Sequence, residues 1–83
     1  MKKYFKLDIL SSVNHIFQGE VYSLIAPGQA GYLGVLAHHA PLIASLVPGK
    51  IIFEEVSGKR TIIQSERNGF LDVHNNRVII LLE

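Results

Sequence analysis

Short runs of alternating apolar and polar residues, each ended within a few positions by glycine, proline, asparagine or serine, leave this chain few folds to choose from. In Tyr4–Ser12, Phe5, Leu7 and Ile9 fall on one face while Lys6 and Asp8 point the other way, the pattern of a half-buried strand. Gly19–Ala26 repeats it, with Val21, Ser23 and Ile25 opposite Tyr22 and Leu24, before Pro27 and Gly28 close the run. Further β-rich segments cover Tyr32–Leu36, Leu42–Val47, Lys50–Val56, Arg60–Ser65, Gly69–His74 and Arg77–Leu82. Strand signals at intervals of roughly eight to twelve residues mark a sandwich or a barrel. Ser57-Gly58 and Asn75-Asn76 separate two pairs of these runs and supply the positive φ that tight hairpins demand. No window sustains a 3.6-residue apolar stripe over three turns, and Ala37–Leu46 has room only for a short helical turn near Pro41. The expected fold is all-β, a small two-sheet β-sandwich of about eight to ten short strands with almost no helix.

A chain of 83 residues makes a single domain, residues 1–83, with a thin core that buries roughly 60 to 65 % of the unfolded surface. It has no cysteine, so it lacks both a disulfide framework and thiolate metal ligands, and the cytosol is its natural compartment. The net charge is +1, with Lys2, Lys3, Lys6, Lys50, Lys59, Arg60, Arg67 and Arg77 scattered along the chain. That spread argues against nucleic acid and anionic membranes as partners. Charges interrupt the N-terminal apolar residues before a signal-peptide core forms, and the most apolar stretch, Ala40–Pro48, is far shorter than the about 20 residues of a membrane span. The chain reads as soluble, with no insertion into a membrane, although it can sit beside one.

Several strands carry more apolar surface than a half-buried sheet needs. Val78, Ile79, Ile80, Leu81 and Leu82 are apolar on both faces, as are Ile51, Ile52 and Phe53, and Ile62 with Ile63. Continuous apolar runs imply cover on both sides, and a chain without helices must find that cover on a protein partner or in a closed, strongly twisted sheet of its own.

Catalytic chemistry has little to rest on. His15, His38, His39 and His74 are the only imidazoles; the adjacent pair points to opposite faces when extended, and no HxH or HExxH pattern accompanies them, so no metal site is expected. Glu54 and Glu55 are likewise neighbours on opposite faces, and Asp8 and Asp72 sit at outward, solvated strand positions. Gly28, Gly31 and Gly34 recur every third residue, yet no helix follows and no Lys-Ser or Lys-Thr closes the pattern, so they read as turn glycines and not as a phosphate loop. The serines lack a nucleophile-elbow context. The reading is of a protein that is not an enzyme, with no catalytic residues and no cofactor.

The order of glycine and proline punctuation carries a resemblance. Leu7-Asp8-Ile9-Leu10-Ser11, Phe17-Gln18-Gly19-Glu20-Val21, Gly31-Tyr32-Leu33-Gly34-Val35, His39-Ala40-Pro41-Leu42, Pro48-Gly49 and Gly69-Phe70-Leu71-Asp72-Val73 occur in sequence from end to end. Together they resemble the N-terminal β-sandwich of the epsilon subunit of F-type ATP synthases, called delta in mitochondria. The resemblance implies a non-catalytic, single-copy subunit of the central stalk, part of the rotor. Its partners would be the gamma subunit, along one sheet, and the polar loops of the c-ring, at one end. It would couple proton flow to ATP synthesis as a peripheral part of the complex on the cytoplasmic face of the bacterial inner membrane, and would be monomeric when isolated. By position, the family's c-ring-facing loop corresponds to Gly31, Tyr32, Gly34, His38 and His39, with Tyr32 and His39 as the foremost contacts. Pro41 and Leu42 would form a structural corner, and Asn68 and Gly69 another turn in which asparagine stands in for glycine at positive φ.

Two departures from the family are visible: Tyr32 stands where an acidic or polar residue is usual, and the C-terminal helical hairpin is missing. The chain is expected to be either a naturally short epsilon subunit or one domain of a longer protein. A reading from another class is a biotinyl- or lipoyl-type carrier β-sandwich modified at Lys59, the one lysine at a hairpin tip, although neither Met-Lys-Met nor Asp-Lys-Ala surrounds it. An oligonucleotide-binding barrel would need exposed aromatics among basic residues, and Phe5, Phe17, Phe53 and Phe70 fall mainly at apolar positions instead.

Overall fold

The computed structural model describes residues 2–83. Eight strands follow one another: β1 (Phe5–Ser11), β2 (His15–Gly28), β3 (Gly31–Leu36), β4 (Leu42–Leu46), β5 (Gly49–Glu55), β6 (Arg60–Ser65), β7 (Gly69–His74) and β8 (Arg77–Leu82). No helix occurs among the described residues; in place of the helical turn expected near Pro41 there is a single hydrogen-bonded turn at Ala37 and His38, followed by irregular chain through Pro41. The all-β reading holds.

Strand β2 organises the two layers. Its first half pairs antiparallel with β1, from Leu10↔His15 to Phe5↔Val21, and its second half pairs with β5 and β3. The changeover falls at Tyr22, an extra residue between Val21↔Glu55 and Ser23↔Glu54. Such a bulge bends a strand and lets it pass from one sheet to the other. It also breaks the alternation read from the sequence: Val21 and Leu24 both face the core while Ile25 faces out. The strand continues through Pro27 and Gly28, which the sequence reading took as its end. Proline is tolerated there because the ladder uses only its carbonyl, which accepts from Val47 N–H at 2.9 Å.

The first sheet runs β1-β8-β7-β4, with β1 and β8 parallel and the other neighbours antiparallel. The second carries β3 and β5 on either side of β2, with β6 beyond β5. A single pairing, Gly28↔Leu46, joins the layers at one end, while β1 and β2 join them elsewhere. Phe5, Leu7 and Ile9 of β1, Val78, Ile80 and Leu82 of β8, and Leu71 and Val73 of β7 meet Leu24, Val35, Ile51 and Phe53 from the opposite layer. Each such side chain contributes about 1.5–3 kcal/mol by leaving water, so this alternation is what sets the register. Phe17 leans on Phe53 with ring centroids 4.4 Å apart and planes tilted by 45°, filling the space where the layers join.

The turns follow backbone chemistry. Asn75 and Asn76 adopt φ of 51° and 58°, and Gly58 has φ of 95°, as hairpins at those positions require. Gly69 differs from expectation: neither it nor Asn68 has positive φ. The glycine is needed because a Cβ there would collide with the Leu81 carbonyl oxygen of the adjacent strand.

Candidate functional site

Alternation sends every second residue of a strand outward, so the doubly apolar runs decorate the outside of both sheets. On the first sheet, the pairings align Leu10, Leu81, Phe70 and Ser45 in one cross-strand row and Asp8, Ile79, Asp72 and Ile43 in the next. A third row, Lys6, Arg77 and His74, is charged or polar. Ile43 is 77 % exposed, Phe70 50 % and Leu81 47 %, values that single core-facing residues never show. They lie on neighbouring strands, so the closed sheet does not hide them, and they make this face the candidate binding surface. The second sheet has a smaller row, Gly34, Ile25, Ile52 and Ile62, in which Ile25 and Ile62 are exposed and Ile52 is half-buried.

One expectation on the first face is corrected. Asp8 is only 6 % exposed, because Arg77 lies against it with Nη2 3.2 Å from Oδ2. The two residues are diagonal neighbours on one face, offset by two residues across β1 and β8, so the guanidinium folds down and closes the carboxylate off from solvent. Asp72 is exposed, as expected.

The residues read as a single loop are divided by the structure. Gly31 and Tyr32 begin β3 next to the β2–β3 turn, Gly34 lies inside the strand, and His38 and His39 follow its far end. The six-residue strand runs from Gly31 to Leu36, so the two groups lie at its opposite ends, about 17 Å apart at the usual rise. At the turn end, Gln29 N–H donates to Ser45 O at 3.0 Å and Lys50 N–H donates to the Tyr32 hydroxyl at 3.2 Å, tying the hairpin tip to the β4–β5 connection. At the other end His38 takes φ of 62°, and its N–H donates to Asn76 Oδ1 at 2.7 Å. Asn76 Nδ2 in turn donates to the Tyr4 carbonyl at 2.9 Å. His39 N–H closes the turn on Leu36 O at 3.3 Å. Pro41 precedes β4 and Leu42 opens it opposite Val73, while Asn68 precedes β7 and Gly69 opens that strand opposite Leu46; the two corners therefore sit at opposite ends of the β4–β7 pair.

Chemically, these surfaces can bind but bring few reactive groups together. Among the described residues no three of His, Asp and Glu gather in a way that would hold a metal ion. The depressions around the molecule are open to solvent and spread over separate parts of its surface. One of them, about 360 Å³, lies between Val13, Ile16, Ile63 and Leu82. Lys59 is exposed in the β5–β6 turn. No described helix is long and apolar enough to cross a membrane. The Asn76 bonds and the Asp8–Arg77 pair escaped the sequence reading; the only signal was the Asn-Asn turn, which announces positive φ but not the partners of its side chains.

The chain is thus a two-layer β-sandwich with an apolar outer face and short loops at its ends. The sequence profile described as "ATP synthase, Delta/Epsilon chain, beta-sandwich domain" matches residues 4–83, and the chain belongs to that family. The chain is 35 % identical over 83 residues to the ATP synthase epsilon chain of Dichelobacter nodosus, covering 100 % of this chain and 57 % of that one. With the epsilon chain of Chlorobium limicola it shares 41 % identity over 81 residues, covering 98 % of this chain and 91 % of that one. The chain thus spans less than two thirds of the Dichelobacter relative and nearly all of the Chlorobium one. Among solved structures, a chain in the mitochondrial ATP synthase of Euglena gracilis, from an assembly of OSCP, F1 and c-ring, superposes with a TM-score of 0.86 at 26 % identity, covering 95 % of this chain and 50 % of that one. A chain in the central stalk and c-ring of the Tetrahymena thermophila enzyme shares the fold, with a TM-score of 0.70 at 18 % identity, covering 98 % of this chain and 64 % of that one.

Proposed function

We propose that this chain is a non-catalytic central-stalk subunit of an F-type ATP synthase, present once per complex, which docks on gamma and on the c-ring and couples proton flow to ATP synthesis. Membership of the epsilon family supports the assignment, and the exposed apolar rows of the β1-β8-β7-β4 sheet carry the choice of surface. Gamma covers Ile43, Phe70, Ile79 and Leu81, which cost free energy in water and recover it on a matching apolar surface. The polar loops of the c-ring meet the end built from the β2–β3 turn, so that Gly31 and Tyr32 remain contacts. His38 and His39, at the opposite end of β3, do not share that contact, and Gly34 supports it only from within the strand. The apolar rows run toward Leu46, Gly69 and Leu82, the same end as the β2–β3 turn, which lets one rigid body touch both partners together. The chain works at the cytoplasmic face of the bacterial inner membrane, without entering the bilayer.

The surface assignment is tested by Phe70→Glu with Leu81→Glu. Both side chains point outward, so the double variant is expected to fold with an unchanged melting temperature and to be lost from a pull-down on purified cognate gamma. Undiminished capture of a folded double variant would remove this face from the interface.

A further inference from the structure

The second layer ends in a strand with an open edge. Among the described residues, β6 pairs with β5 alone. Along an antiparallel strand the hydrogen-bonding groups of successive residues point alternately to one side and the other. Glu55 N–H donates to Lys59 O at 2.8 Å, which sets the phase: Thr61, Ile63 and Ser65 turn their N–H and C=O groups toward β5, and Arg60, Ile62 and Gln64 turn theirs away from the sheet. Folded domains usually blunt such an edge with a proline, a bulge or a central charge. Here the register with β5 runs unbroken from Gly49↔Ser65 to Glu54↔Arg60, and the middle of the strand is Ile62, 56 % exposed, followed by Ile63. The core side of the edge is open too, because Ile63 borders the depression it shares with Val13, Ile16 and Leu82. Of the other edges, β3 carries Gly31 and Gly34, which weaken strand pairing, and β4 is joined to β2 at Gly28↔Leu46.

We propose that β6 is an association edge, on which a second copy of this chain adds its own β6 antiparallel, with Ile62 opposite Ile62 across a twofold axis. In that register the strand is its own complement. Arg60 falls opposite Gln64 of the second copy and Ile62 opposite its equivalent, so the outward N–H and C=O groups of the strand satisfy one another. An axis normal to the sheet keeps the outer faces together. The apolar row Gly34, Ile25, Ile52 and Ile62 then runs on into the same row of the second copy, and the exposed Ile62 side chains cover each other. On the core side, Thr61 of the second copy lies beside Ile63, over the open depression. Charge favours this orientation: Lys59 and Arg60 lead into the strand and Glu66 follows it, so Lys59 approaches Glu66 of the second copy while Arg67 lies beyond the paired residues. An in-register parallel pair would set Arg60 beside Arg60. Hydrogen-bonding phase, apolar row and charge all match this same strand, which commits the edge to a second copy and not to an unrelated extended segment. The pairing departs from the monomer that the family resemblance implies for the isolated chain. It is independent of docking on gamma, because β6 belongs to the layer away from the β1-β8-β7-β4 face.

The test follows the whole chain in solution, by sedimentation and amide exchange, from micromolar to millimolar concentration. The mass should rise toward twice that of the monomer. The Arg60, Ile62 and Gln64 amides should exchange about 10-fold more slowly where most of the chain is paired, while those of Thr61 and Ile63 are protected already in dilute solution. Ile62→Pro removes an N–H that the ladder with β5 does not use, so the variant should fold and stay monomeric at every concentration. Because position 62 faces itself, Ile62→Lys and Ile62→Glu should each be monomeric, and an equimolar mixture of the two should pair again. An unaltered chain that stays monomeric, with Arg60, Ile62 and Gln64 exchanging fast throughout, would overturn the proposal. Association that survives in folded Ile62→Pro would also overturn it; if Phe70→Glu with Leu81→Glu then abolishes that association, the copies meet through the first sheet instead. Two monomeric charged variants that do not pair when mixed would overturn the twofold register.

Discussion

At Asn76 one residue ties the β7–β8 turn to two other segments through three hydrogen bonds. Its Oδ1 accepts from His38 N–H, its Nδ2 donates to the Tyr4 carbonyl, and its own carbonyl accepts from Lys6 N–H at 3.3 Å. The residue also sits at φ of 58°, where most side chains are strained. These two roles separate by substitution. Asn76→Gly keeps the backbone conformation and loses the side-chain bonds, which should cost about 1–2 kcal/mol. Asn76→Ala loses both and should cost about 1 kcal/mol more, read as a lower urea midpoint at unchanged slope. A similar argument applies to Asp8, whose carboxylate is closed off by Arg77. Arg77→Met should destabilise by about 1–3 kcal/mol, because it leaves a buried carboxylate without its partner, and Asp8→Asn in the same background should recover part of the loss. Neither feature was legible in the sequence. Asn75-Asn76 announces a hairpin, and Asp8 and Arg77 each look like solvated strand positions, because the pairing that unites them joins residues far apart along the chain.

Strands were legible in proportion to how local their causes are. Arg60–Ser65, Gly69–His74 and Arg77–Leu82 fall where their β-branched runs and flanking turn residues place them, since both signals lie within the segment. Strand β2 was misread because its bend depends on which strands lie beside it: β1 holds the first half and β5 the second, and Tyr22 is squeezed out at the junction. The apolar surplus of β8 was read correctly, but only the pairing with β1 and β7 shows that its outward half forms a patch with Leu10 and Phe70. Adjacent residues of β8 should accordingly behave in opposite ways. Ile80→Ala empties a fully buried position and should cost about 2–5 kcal/mol in thermal or urea unfolding. Leu81→Ala should leave stability within about 0.5 kcal/mol and weaken binding to gamma.

For the molecule as a whole, the family and the sandwich were legible because punctuation by glycine and proline spans the entire chain. The division of the candidate site was not. Gly31, Tyr32, His38 and His39 are close in sequence, but a strand carries the second pair to the far end of the domain, and nothing within the segment says which end faces a partner. The same geometry leaves two outer faces to choose between, and isoleucines mark both. Ile43 and Ile79 lie on the β1-β8-β7-β4 sheet, Ile25, Ile52 and Ile62 on the other. Methyl-labelled isoleucines, followed by NMR as purified gamma is added, therefore compare the faces within one sample. The account predicts that the Ile43 and Ile79 methyl signals shift or broaden while those of Ile25, Ile52 and Ile62 stay in place; perturbation of the second set with the first unmoved would contradict it.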